Sequence, residues 1–290
     1  MERFGMELNK IAVIGAGFMG TGIAQVVAYG KYIVSLRDIS TDILNQSKMK
    51  IENQLKTSVA KGKISEEEAK NIMARISFTV DLENAVQNAD FIIEAVPENL
   101  ELKKEVFAEL DRVAKSSAIL ASNTSELNIS SIAEATSRKE KIIGTHWFSP
   151  PQVMKLIEIV VTPGTSKETL ETTVSFCKNI GREIVICKDA QGFITSRAIS
   201  ALVAECLRIY EDGLASIEDI DKAMRLGFNH PLGPFQIMDM VGVDVVFHSL
   251  EGLTKVYGDQ FKPTKTMSQL VENGHLGQKT GKGFYNYSSK

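Results

Sequence analysis

His146 ends an apolar, strand-like run, and twelve residues later Glu158 interrupts a second one, Leu156-Ile157-Glu158-Ile159-Val160. A charge inside a strand is costly unless it lies at an exposed edge or meets a partner, and an imidazole is a natural partner. A carboxylate that holds one ring nitrogen fixes the tautomer and raises the basicity of the other. His146 is therefore a candidate general base and Glu158 its orienter. For a histidine on its own, a hydrogen-bonded packing role would be the simpler explanation. The acidic partner and a second pattern upstream favour chemistry.

That second pattern is Lys10-Ile-Ala-Val-Ile-Gly15-Ala-Gly17-Phe18-Met19-Gly20-Thr-Gly22. A short apolar run breaks into glycines and continues as helix, which is the order of a dinucleotide fingerprint. Gly15 permits the tight turn, Gly17 lets the backbone approach a pyrophosphate, and Gly20 lets the helix pack close to the strand. The helix that begins at Phe18 and Met19 offers unpaired N–H groups to phosphate. A second apolar run, Tyr32 to Leu36, ends in Arg37-Asp38, at the spacing where an acid accepts hydrogen bonds from an adenosine ribose. Asp38 would repel a 2′-phosphate, so NAD is the expected cofactor, while the adjacent Arg37 keeps NADP in play.

These groups need elements to hold them. Strand signals recur at Ile76 to Thr79, Phe91 to Val96, Ala118 to Ser122, Lys141 to Phe148, Leu156 to Val161 and Glu183 to Lys188. They alternate with helical stretches such as Leu100 to Ala114 and Ile129 to Ala135. The expected fold class is α/β, a Rossmann-type doubly wound sheet over residues 1–189. Right-handed crossovers would gather the strand C-termini, and with them the functional residues, on one edge. A helical insertion at about 40–75 carries Lys48, Lys50, Lys56, Lys61 and Lys63. These lysines could form a solvated face or dock a substrate with several phosphates. From residue 190 to 290 only helical periodicity is evident, with Pro231-Leu232-Gly233-Pro234 marking a break between helices. The apolar surface of the Phe193 to Gly213 helix exceeds what one packing partner requires. A homodimer through this all-helical domain would bury it.

With 33 basic and 36 acidic side chains in 290 residues, the net charge is −3, and nothing global suggests nucleic acid or an anionic membrane as a partner. No apolar run is long enough to cross a bilayer. Met1 to Lys10 has neither a signal-peptide core nor transit-peptide character, so a cytoplasmic protein is expected. Cys177, Cys187 and Cys206 and the four histidines show no metal-ligand spacing, and no metal is expected.

The ordered set Gly15-Ala-Gly-Phe-Met-Gly20, Glu94-Ala-Val-Pro-Glu98-Asn99, Ser122-Asn-Thr-Ser125, His146-Trp-Phe-Ser-Pro150, Met154-Lys-Leu-Ile-Glu158, Gly192-Phe-Ile and Lys279-Thr-Gly-Lys-Gly-Phe-Tyr285 resembles the L-3-hydroxyacyl-CoA dehydrogenases over essentially the whole chain. The length and short N-terminus look most like the bacterial 3-hydroxybutyryl-CoA members. The resemblance implies interconversion of a short-chain L-3-hydroxyacyl-CoA and its 3-ketoacyl-CoA with NAD. His146 would take the proton from the 3-hydroxyl, Glu158 would orient it, and Ser125 would hydrogen-bond the reacting oxygen beside the nicotinamide. It also implies cofactor contacts at Glu98, Lys103 and Lys279, and CoA phosphates against Lys61. Gln54 stands where the family has a CoA-contacting serine. Ser196 and Ser149 each replace a family asparagine, the first at the substrate oxygen and the second near the nicotinamide. A hydroxyl can still donate there, with different reach. Two other activities fit parts of the pattern: a dehydrogenase of this fold acting on a hydroxy acid without CoA, and a non-catalytic NAD-binding sensor. The Lys61 face argues against the first, and retention of His146, Glu158 and Ser125 against the second.

Overall fold

The computed structural model describes residues 6–287, so the first five residues weighed above as part of the N-terminal stretch lie outside the described residues. The chain divides after Ala190 into two compact units, against an expected boundary after 189. In the first, β1 (Lys10–Ile14), α1 (Phe18–Tyr29), β2 (Ile33–Arg37), α2 (Thr41–Ala60), α3 (Glu66–Ala74), β3 (Ile76–Thr79), α4 (Leu82–Val86) and β4 (Phe91–Glu94) follow in order. They are succeeded by α5 (Leu100–Val113), β5 (Ile119–Ser122), α6 (Ile129–Ala133), β6 (Ile142–Trp147), β7 (Leu156–Val161), α7 (Lys167–Asn179) and β8 (Glu183–Lys188). The eight strands form one sheet in the order β3-β2-β1-β4-β5-β6-β7-β8. Strand order reverses between β1 and β4, the switch point at which open α/β sheets bind ligands beyond the strand C-termini.

The doubly wound α/β sheet is as expected, with one correction of direction. β6 and β7 pair antiparallel, and β8 runs parallel to β7, so the last two strands present their C-termini at the opposite edge. Only residues 148–155 join β6 to β7, too few for the crossover that a parallel pair needs. The central strands are almost continuously apolar, as a sheet covered on both faces requires. Ile11, Val13, Val34, Leu36, Phe91 and Ile93 pack with Ile23 and Val27 of α1, and Phe91 stacks on Phe176 of α7 at 4.9 Å. The expected helical insertion is α2 and α3, each opened by a serine cap, Ser40 and Ser65.

In the second unit α8 (Thr195–Glu211), α9 (Ile217–Gly227), α10 (Pro234–Val241), α11 (Val243–Tyr257) and α12 (Lys265–Glu272) surround Val203, Leu207, Phe235, Met238, Leu250 and Met267. The Gly-Pro stretch read as a break between helices lies between α9 and α10 and ends in the first residue of α10. Pro234 occupies the first turn, where its missing N–H costs nothing. Two buried carboxylates organise this unit. Asp221 accepts from the N–H groups of Phe235 and Gln236 at 2.8 and 3.2 Å, and Asp239 from those of Phe284 and Tyr285, both at 2.9 Å. Burial pushes the Asp239 carboxyl above its ordinary value despite those donors. Burial likewise pushes the Cys177 thiol up to about 12, and Cys187 and Cys206 up to about 11, which leaves all three poor nucleophiles.

Candidate active site

The antiparallel register places His146 of β6 directly opposite Glu158 of β7. Side chains directly opposite each other on one face of a sheet stand within contact distance. His146 Nδ1 lies 2.6 Å from Glu158 Oε2, with the histidine 5% exposed and the glutamate 0%. With the carboxylate ionised it can only accept, an arrangement that would put a proton on Nδ1 and leave Nε2 as the ring nitrogen able to exchange one. The ring of Phe148 packs against the imidazole at 4.5 Å between centroids. Gly144, two residues back in β6, has no room for a side chain, since a Cβ there would fall 2.7 Å from Val160 and 2.9 Å from Ile129.

The glycine-rich turn lies at the C-terminal end of β1, beside the switch point. Gly15 has φ +100°, and a Cβ on Gly20 would fall 1.7 Å from the Gly15 carbonyl oxygen, so the turn closes only with glycine at both places. At Gly17 a Cβ would meet nothing within 4 Å. This residue is the N-cap of α1 without a side-chain cap, so no capping side chain takes up the first N–H groups of the helix. That is the arrangement a pyrophosphate needs. Asp38 follows β2, its Oδ2 accepting from Ala16 N–H at 2.8 Å and its Oδ1 from Ser40 N–H at 3.1 Å. The acid is thus fixed to the glycine turn itself. Arg37 is turned to the Val80 carbonyl, 3.2 Å away. Among these residues Phe18 is exposed, and the Lys50 ammonium sits 4.1 Å over its ring.

Glu98, Lys103 and Ser125 come together at the ends of β4 and β5. Glu98 Oε1 accepts from the N–H of Ser125 at 2.9 Å and of Glu126 at 3.2 Å, and from the Thr124 hydroxyl. Asn123 accepts from Trp147 N–H at 2.9 Å, which fastens this loop to the strand that carries His146. Lys103 is almost wholly buried, paired with Glu94 at 2.7 Å and with Glu98 at 3.3 Å. The sequence marks Glu94 only as part of a motif at a strand end and gives no sign of this pairing. A charge closing the apolar run Phe91-Ile92-Ile93 is the one signal that could have found it.

On α2 the lysines do not share one face. Lys50 lies over Phe18, whereas Lys56 lines a cleft between α2 and α3 with Leu55, Val59, Ala69 and Met73. Six residues on a helix of 3.6 per turn separate the two around the axis. Lys61 is the exposed C-cap of α2. Gln54 Oε1 accepts from Gln152 Nε2 at 3.1 Å, and the same nitrogen reaches Gln25 Oε1 at 3.1 Å, an amide contact that sequence reading misses because its members are far apart in the chain. Ser149 is exposed just after β6. Ser196 and Lys279 belong to the second unit, Ser196 in the first turn of α8 and Lys279 held to Asp244 at 2.6 and 2.8 Å.

A family model described as 3-hydroxyacyl-CoA dehydrogenase, NAD binding domain, matches residues 10–190, and one for the C-terminal domain of the same enzymes matches residues 192–287. NAD is accordingly the cofactor of the first unit. The chain is 42% identical to the mitochondrial hydroxyacyl-coenzyme A dehydrogenase of Rattus norvegicus, over 97% of this chain and 91% of that protein. It is 38% identical to a probable 3-hydroxybutyryl-CoA dehydrogenase of Bacillus subtilis, over 98% and 99%. Among solved structures, the (S)-3-hydroxybutyryl-CoA dehydrogenase PaaH1 from Ralstonia eutropha superposes with a TM-score of 0.94 at 33% identity, covering 98% of this chain and 100% of that one.

Proposed function

Since the chain belongs to the 3-hydroxyacyl-CoA dehydrogenase family, we propose that it interconverts 3-hydroxybutyryl-CoA and acetoacetyl-CoA with NAD, using His146 and Glu158 as the acid–base pair. The observation that carries this reading is the buried cross-strand contact between them at 2.6 Å. Bound NAD supplies the hydride acceptor. The uncapped N-terminus of α1 and the glycine turn hold the pyrophosphate, and Asp38 accepts from the adenosine ribose. His146 Nε2 takes the proton of the substrate 3-hydroxyl in oxidation and returns it to the forming alkoxide in reduction. Glu158 keeps the ring in the productive tautomer and stabilises the imidazolium. The Ser125 hydroxyl donates to the same oxygen, where negative charge develops. Lys61 at the end of α2 receives CoA phosphates, and CoA binding energy serves to orient the reacting carbon. Gln54, Ser149, Ser196 and Lys279 enter the proposal on the resemblance alone.

NADH and NADPH oxidation, followed separately with acetoacetyl-CoA and with free acetoacetate, tests the reading. Turnover confined to the CoA ester with NADH is expected. Equal turnover of free acetoacetate would refute CoA docking, and tight NADH binding without turnover would refute catalysis. The proposal includes a homodimer through the helical unit, supported by the exposed Leu214, Leu226, Phe228 and Val245. A stable monomer by sedimentation at assay concentration would refute it. A cytoplasmic setting belongs to the same proposal, supported by three free thiols.

A further inference from the structure

Beneath the loops that carry Glu98 and Ser125 lies an ion pair withdrawn from water. Glu94 is 0% exposed and Lys103 1%. Apolar side chains of similar volume would fill this space without desolvating two charges, so stability alone does not account for the pair. What it touches is more informative. Glu94 Oε1 accepts from Lys103 Nζ and from Val96 N–H, both at 2.7 Å, and its Oε2 accepts from Ser122 Oγ at 2.6 Å. One carboxylate thus joins the end of β4, the end of β5 and the first turn of α5. Lys103 Nζ also reaches the Val96 carbonyl and Glu98 Oε2, each at 3.3 Å. Two of the ammonium's three N–H donors are thus used on Glu94 and the Val96 carbonyl, and Glu98 adds an ion-pair contact. Glu98 in turn gives its other oxygen to the Thr124, Ser125 and Glu126 backbone and hydroxyl donors described above.

We propose that Glu94 and Lys103 form a buried positioning unit that fixes the Ser125 backbone through Glu98. The proposal rests on the reading of Ser125 as a donor to the reacting oxygen. Burial pushes the Glu94 carboxyl up, and the Lys103 ammonium, the Ser122 hydroxyl and the Val96 N–H oppose that shift, which ties the charge of Glu94 to the same contacts.

The test uses Glu94→Gln in the full chain, with Glu94→Gln/Lys103→Met as a second variant that leaves no unpaired ammonium if the first does not fold. Backbone amide exchange, NADH binding and steady-state kinetics are measured on both. Loss of the Glu94 charge leaves Glu98 as the counter-ion nearest to Lys103 and draws its carboxylate away from Ser125. Exchange at Ser125 and Glu126 is expected to rise about tenfold while that at Ile92 and Leu120 stays put. The kcat for acetoacetyl-CoA reduction is expected to fall about tenfold to a hundredfold, the scale of a small displacement of a reacting group. The KM for acetoacetyl-CoA should stay within about twofold. Wild-type kcat with wild-type exchange at Ser125 in either variant would overturn the proposal. So would exchange that rises uniformly across the sheet with kcat per folded molecule unchanged, because the pair would then be structural only. Amide exchange and NADH binding need no substrate. A wild-type protein that binds NADH but does not reduce acetoacetyl-CoA would therefore refute the functional reading separately.

Discussion

Replacing Glu158 by Gln removes one negative charge from the 2.6 Å contact with His146 Nδ1 and leaves the side-chain volume nearly unchanged. When His146 carries a second proton, the contact is between full charges. At an effective dielectric constant near 20, their attraction at this distance is about 6 kcal/mol, an upper bound because desolvation of Glu158 is lost with its charge. A lower bound of about 1.5 kcal/mol comes from the worth of a hydrogen bond to a charged group. Between these limits a loss of about 2–4 kcal/mol is expected in the step where the imidazolium forms or is consumed, or about 30- to 1,000-fold in kcat. The assay is NADH oxidation at saturating acetoacetyl-CoA, with NADH affinity measured separately by fluorescence. Affinity should stay within about twofold, because the carboxylate acts on His146 and not on the cofactor. His146→Gln should cost at least as much, and the double variant no more than His146→Gln alone, since the two act as one unit. A Glu158→Gln enzyme with kcat within about threefold of wild type would refute the acid–base assignment. Parallel loss of NADH affinity would show that the pair holds the fold rather than the proton.

Asp38→Ser removes the carboxylate that would repel a 2′-phosphate, so the ratio of NADPH to NADH turnover should rise by about tenfold or more; an unchanged ratio would exclude Asp38 as the discriminating group. Lys61→Ala should raise the KM for acetoacetyl-CoA about fivefold, the worth of one exposed charge contact, and leave an acetoacetyl-pantetheine substrate unaffected; equal effects on both would place the CoA phosphates elsewhere. Asp90 is held below its ordinary 3.8: burial opposes the shift, and Lys115 with the N–H groups of Lys10 and Asn9 outweighs it. Its contribution to stability is thus present above pH 3.8 and lost as pH falls through the lower folded value. Asp90→Asn should lower Tm by about 3–6 °C at pH 7 and by less at pH 3, and a pH-independent difference would refute the linkage.

The sheet and the meeting of His146 with Glu158 are legible in the sequence for a shared reason: continuous apolar runs mark buried strands, and a charge within one of them demands a partner. The direction of β7 is not legible, because a strand pattern reads the same either way. It is the shortness of residues 148–155 that turns the chain back. α7 escapes notice because Thr169, Thr172 and Thr173, all buried, dilute the apolar periodicity with β-branched polar residues. α10 hides behind Pro234, a residue that stops helices in the interior and starts them at the first turn. The glycine turn and Asp38 are read together because each is a known part of one recurring strand-turn-helix-strand pattern. Glu94, Lys103 and Glu98 lie within nine residues, yet no such pattern pairs them, since their meeting depends on how α5 packs at the end of β4.

β6 and β7 with their connection form one contiguous segment, Ile142–Val161, that holds both members of the His146–Glu158 pair. This makes the pair a portable cassette whose phase is set by strand register. One residue inserted within β7, between the connection and Glu158, would turn that side chain to the opposite face of the sheet. The same insertion within 148–155 can be absorbed by the turn and leave the two residues opposed. Length variation and loop grafting therefore belong in the connection, and each strand must be moved between scaffolds as an intact unit.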